Sequence, residues 1–334
     1  MRICVKTAVM PKNKTWASPM KVDFSEDLLP GERVLGAMAG LSYFRLYYAD
    51  NGSTSEAVGQ ASVTLVPNLT EDAVHVTASL VMTNYNGADA ACSTDGSGHD
   101  SFVRITVVAV LGLMNPAYQA VAGNLYGLSG QWGEAIPIAS ASAEARAFLA
   151  GFYIAGSSAK EVSSLSFTSS VEKPGGAQAK VSGKAAQSGD EERTGTADVA
   201  FLSTDGVTSY RVLSIDTASS KWTEVDDERD GVTCAFSVTP TLNAGETVRR
   251  AGVLLQNVNI NFERDKTSDL ELFEAGVTSD TLSISNGKTI SGTLILNIFN
   301  SRAGDDYGIA PPPTSNLTAF VIAEIARPLP GGES

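Results

Sequence analysis

Three separated strand-like segments recur in this chain at a single offset, and that recurrence restricts the folds open to it more than any other feature. "HVTASLVMTNYNGAD" (His75–Asp89) is matched by "TISGTLILNIFNSRAGDD" (Thr289–Asp306), so that Leu80 meets Leu294, 214 positions on. At the same offset "LSYFRLYY" (Leu41–Tyr48) falls on "LQNVNINF" (Leu255–Phe262), and "VRITVVAVL" (Val103–Leu111) falls on "LTAFVIAEI" (Leu317–Ile325). Chance alternation would let each strand slide independently by even steps, so one shared offset reads as two copies of a unit. Near half that offset, "FLAGFYIAG" (Phe148–Gly156) repeats the motif, with Phe152 standing close to midway between Phe44 and its match Val258, which suggests a diverged third copy. Trp16, Trp132 and Trp222 each stand near the start of a unit. The expected organisation is therefore 1–120, 121–220 and 221–334, three β-sandwich repeats of the usual domain size, each burying its own core.

The segments themselves are short, rich in Val, Ile, Thr, Phe and Tyr, and separated by Gly, Asn, Asp and Pro clusters: "ASVTLVP", "SLSFTSSV", "SYRVLSID" and "TCAFSVTP" are examples. Helical spacing is almost absent, the best candidate being "SAEARAFL" (Ser142–Leu149). Parallel strands need long crossovers, usually helical, so the reading is all-β, with tandem antiparallel β-sandwich domains from internal duplication.

A formal charge of −13 and a pI near 4.6 argue against nucleic acid or an anionic membrane surface as partner. No apolar run approaches the roughly 20 residues that span a bilayer, and the first 30 residues lack a continuous apolar stretch before Pro11, so no secretory signal is read there. Cys4, Cys92 and Cys234 are too few and too scattered for a disulfide framework or a metal site.

Residues able to do chemistry are scarce. His75 sits at an alternating strand position, expected on the surface, and His99 lies in the Gly/Ser loop "STDGSGHD". There is no nucleophile elbow, HExxH, P-loop or strand-linked GxGxxG. A hydrolase built on paired carboxylates stays open as the alternative, since 37 acids offer many pairs. In "DDERDG" the alternation of Asp226, Glu228 and Asp230 before a glycine has the form of the first half of a Ca²⁺ loop, although Ser237 stands where the bidentate glutamate belongs. Tyr47, Tyr48, Tyr85 and Tyr307 border the loops that differ between copies and could stack on sugar rings.

From Trp16 through "VDFSEDLLPGERVLGAMAGL" and "AVGQASVTLV" to "VRITVVAVLG", and again over Phe320–Ile325, the strand order resembles that of H-type lectin sandwiches. The resemblance implies trimers that bind sugars at subunit edges. The family's aromatic in the final strand is Val107 or Val108 here, so no binding residue is carried over. Together these features lead us to expect a non-enzymatic attachment or structural protein of a surface, virion or secreted particle. It would be extracellular, assembled as a trimer or regular array that pairs open strand edges, with a cell-surface glycan as candidate ligand.

Overall fold

A computed structural model describes residues 2–10, 19–47, 58–84, 101–114, 127–128, 135–138, 144–155, 162–173, 175–176, 178–189, 193–204, 209–224, 231–261, 272–279, 282–299 and 314–327. Among them there is no α-helix, only two 3₁₀ turns, Ser25–Asp27 and Ser219–Lys221. The first segment gives β1 (Arg2–Val9), β2 (Met20–Asp23), β3 (Glu32–Tyr47), β4 (Val58–Leu69), β5 (Ala73–Asn84) and β6 (Phe102–Leu113). The middle segment gives β7 (Gly127–Leu128), β8 (Ala135–Pro137), β9 (Glu144–Ala155), β10 (Val162–Glu172), β11 (Gln178–Gly189) and β12 (Arg193–Thr204). The last gives β13 (Tyr210–Ser214), β14 (Trp222–Glu224), β15 (Val232–Val238), β16 (Thr247–Asn261), β17 (Leu272–Val277), β18 (Ser283–Ser285), β19 (Thr289–Phe299) and β20 (Asn316–Ala326).

Among the described residues all pairings are antiparallel, in two sheets. One runs β1-β6-β3-β17-β19-β15-β14, with β18 also on β19. The other runs β13-β20-β16-β10-β11-β12-β9-β4-β5-β2, with β7 on β12 and β8 on β11. Within the first segment the order β1-β6-β3 and β2-β5-β4 pairs β1 with β6 and β2 with β5, their mirrors in sequence, and sets β3 and β4 in opposite sheets, a winding of jelly-roll type. In the last segment β13-β20-β16 and β15-β19-β17 repeat that order.

The correspondence extends to register. Bulges interrupt β3/β6 between Val34 and Gly36 and between Leu41 and Tyr43; β16/β20 is interrupted between Val248 and Arg250 and between Leu255 and Asn257. Each of these positions stands from its counterpart at the offset that relates Leu80 to Leu294. Val63 pairs with Leu80 as Val277 pairs with Leu294, and both leucines are buried in one core cluster. The turn before each long strand also recurs. Gly31 (φ 83°) and Gly245 (φ 80°) make the left-handed corner, and Leu29 N and Asn243 N donate to Glu32 and Glu246 respectively, each at 2.9 Å.

The segments do not stand as separate sandwiches. β3 pairs directly with β17, while β10 pairs with β16 and β9 with β4, so each sheet is assembled from different segments. Residues 144–204 therefore form a four-strand insertion in one sheet, widening a junction that the other sheet makes by direct pairing; they do not repeat the six-strand order. The strand β13, before residue 220, already belongs to the last unit. The helical candidate is also strand: Ala147, Phe148 and Leu149 are buried in β9 against β12, where burial outweighs alanine's helix preference. The largest core cluster draws on all three segments. Phe44 of β3 meets Phe152 of β9 at 5.0 Å and Phe273 of β17 at 4.8 Å, and Phe152 stacks on Phe167 of β10 at 4.0 Å.

β3, β6 and the Ile3–Val5 part of β1 are buried on both faces, which explains the apolar run Val107–Leu111 of β6. Cys4, Ala39, Leu41 and Val107 join the main core; Ile3, Val5, Met38 and Val108 meet Phe148, Leu254, Phe320 and Ile322 in a second one. At the crossing of β3 over β16, a Cβ on Gly40 would lie 2.5 Å from Leu254 Cδ2. Positions 40 and 254 stand at the shared offset, so matching strands of the two units meet here. Ser42 and Thr106 seal the crossing by donating to Val253 O at 2.7 and 2.8 Å.

The β3–β17 seam is equally close. Gly276 adopts φ 131°, and a Cβ there would sit 2.2 Å from Ser42 O. Gly276→Ala should lower stability by about 2 kcal/mol or more, through strain and a backbone clash, read as an earlier urea midpoint.

Candidate functional site

The ladders fix where each connection leaves the sheets. In the first sheet Val9 lies beside Arg104, Phe102 beside Arg45, Leu272 beside both Tyr47 and Phe299, and Glu224 beside Val232. In the second, Asn259 lies beside Asn316, Asn261 beside Ser164, Gln60 beside Ala155 and Val58 beside Asn84. All these strand ends therefore share one edge. From it leave the connections 48–57, between β3 and β4, and 262–271, between β16 and β17. The longer connections 85–101, between β5 and β6, and 300–315, between β19 and β20, leave it too. On the opposite edge only Thr70–Asp72 separate β4 from β5. Long connections at one edge of a rigid scaffold are where binding usually resides.

Topology brings the strand ends flanking the tyrosine and acidic candidates to this edge, whereas His75 lies toward the other. Tyr47 ends β3, half-buried, its N–H donating to Ser101 Oγ at 2.9 Å. Tyr48, Tyr85 and Tyr307 lie outside the described residues, as do Asp226, Glu228, Asp230, His99 and Cys92. The β14–β15 hairpin carries the acidic tip, between Glu224 and Val232. His75 is half-buried in β5 between Asn68 and Lys21. Cys4 and Cys234 are free and buried.

Two clusters escaped sequence reasoning, because neither has a motif. Just inside the edge, Tyr43 donates to Glu274, stacks on Phe102 at 4.8 Å, and lies under the Arg104 guanidinium at 5.0 Å. Arg104 in turn donates to Val277 O. Burial, then the charge and hydrogen bond of Glu274, hold the Tyr43 phenol well above its ordinary range, so it remains a donor.

The second cluster joins the first and last units. Asp27, at the end of the first 3₁₀ turn, accepts from Arg249 (3.0 Å) and Arg250 (2.7 Å) of β16, and pairs with Lys6 of β1 at 2.7 Å. Glu324 of β20 takes Arg249 at 3.1 Å and the Val5 N–H at 3.0 Å. Burial raises the Asp27 carboxyl, but hydrogen bonds and charge from Arg250 and Lys6 outweigh it and leave the group well below the usual carboxylate range. Burial first, then Glu324 and Asp27, push the neighbouring Cys4 thiol up to about 12, so it is no nucleophile at neutral pH. Both clusters are packed structural polar groups.

Among the described residues no three His, Cys, Asp or Glu side chains are grouped to hold a metal ion. No helix among them is long and apolar enough to cross a membrane. In comparisons with known proteins, no family model matches the chain, and no curated protein or solved structure is significantly similar to it.

Proposed function

We propose that this chain is a non-enzymatic attachment or structural protein of a surface, virion or secreted particle, acting extracellularly within a homo-oligomer such as a trimer or regular array. The supporting observation is the doubled six-strand unit, locked into shared sheets and carrying the long connections within each unit, 48–57, 85–101, 262–271 and 300–315, at one edge. Such a body sends two sets of connections out from one edge, an arrangement suited to multivalent contact. Jelly-roll windings serve capsids and lectins among other roles, an analogy at the level of fold alone. A cell-surface glycan is the candidate ligand, and the acidic hairpin tip with Asp226, Glu228 and Asp230 is the candidate Ca²⁺ position.

In this reading assembly draws little on strand edges. The outer edge of β1 is capped within the chain by Ser209 Oγ on Ile3 N–H (2.9 Å) and by Glu324 on Val5 N–H, and the other edge strands, β2, β13 and β14, are short. Assembly would then use faces and loops. Light scattering on dilute protein should give a mass several times 34.8 kDa; a monomer down to micromolar concentration would refute the assembly.

A further inference from the structure

We propose that the outward face of β20, β16 and β10 binds a neutral, hydroxyl-rich polymer, a glycan chain laid across the strands; this deepens the attachment reading and rests on it. The register aligns two uncharged rows, Asn316–Asn259–Ser166 and Thr318–Asn257–Thr168, with Asn261 beside Ser164 at the loop edge. Their neighbours Leu317, Val258, Ile260, Leu165 and Phe167 point into the core, so these polar side chains face out, half-buried or exposed.

The patch is uncharged, bounded on β11 by Lys184 opposite Thr168. With 37 acidic and 24 basic residues available, the outward positions from Ser164 to Ser170, Asn257 to Asn261 and Asn316 to Thr318 hold no charge. In the first unit the positions equivalent to Asn257, Asn259, Asn316 and Thr318 carry Tyr43, Arg45, Phe102 and Arg104, and there Tyr43 and Arg104 are buried. The same backbone has thus been closed by charge and aromatic rings in one unit and left open with amides and hydroxyls in the other. Asn259 and Asn261 both donate to Thr314 O, which fixes their amide planes.

Amides and hydroxyls each donate and accept, matching the hydroxyls of a sugar. Their grid, about 4.8 Å across strands and about 6.8 Å along them, is on the scale of one ring. A polyanion would be repelled by the net charge of −13, and a polycation would find no carboxylate here.

The test is binding of the full chain to soluble neutral glucan, mannan and galactan, comparing wild type, an Asn257→Ala/Asn259→Ala double variant and Tyr47→Ala, with circular dichroism confirming the fold. The double variant should bind ~10-fold or more weakly than wild type. Undiminished binding by the double variant, or loss only in Tyr47→Ala, would overturn the face and leave the attachment reading standing. Absence of binding by wild type would also overturn it, while the mass measurement judges assembly separately. A fall in oligomer mass in the double variant, with polysaccharide binding unaltered, would instead identify the face as a contact between copies.

Discussion

Asp27→Ala is expected to be among the most damaging single substitutions in the chain, costing about 3 kcal/mol of stability. Removing one partner of a buried ion network leaves the opposite charges uncompensated, ordinarily a loss of ~3–5 kcal/mol. The lower figure applies because the cations retain some water, Lys6 at 24%, Arg250 at 31% and Arg249 at 42% side-chain exposure, and because Glu324 still holds Arg249. The same carboxylate makes the fold acid-sensitive. Its folded-state pKa is depressed, so the unfolded chain binds the proton more readily. The stabilisation is complete above the ordinary carboxylate range, about pH 4, and is lost as pH falls through the depressed value. Glu32 and Glu246 are shifted in the same direction and add to the effect. Urea unfolding at a series of pH values should show wild type weakening below about pH 4, with a flatter profile in Asp27→Asn.

Phe152→Ala should cost about 3–5 kcal/mol, the usual loss on emptying a packed aromatic position. Phe152 touches rings from three strands, Phe44 of β3, Phe167 of β10 and Phe273 of β17, and so from all three sequence segments. The cavity would loosen the contact between the two units and the insertion together. The whole chain is therefore expected to melt earlier, as one body.

The repeat was legible because it rests on backbone pattern. Alternation and a fixed sequence offset survive side-chain divergence, and the ladders of β3/β6 and β16/β20 carry the offset down to their bulges. A further signal lay unused in "PGER" and "AGET", which make the same glycine turn closed by a glutamate. What sequence could not supply was the partnership between segments. Nothing in "LFEAGV" says that its neighbour is β3, a strand of the other unit, because edge hydrogen bonds are made by backbone that every residue shares. The motif near Phe152 recurred for the same reason. Apolar alternation fits any strand of a common core, and Phe152 packs against Phe44 instead of repeating its place in a third sandwich. The edge candidates were legible as a set of loops, whereas the Tyr43–Glu274 and Asp27–Arg250 contacts span 231 and 223 residues and have no local signature.

Differential scanning calorimetry of the intact chain, with Phe152→Ala alongside, tests most directly whether the two units and the insertion are one structure. Shared sheets and a shared core predict a single transition whose calorimetric and van't Hoff enthalpies agree, displaced as a whole to lower temperature in the variant. Two or three separable transitions, only one of them moved by the substitution, would contradict it.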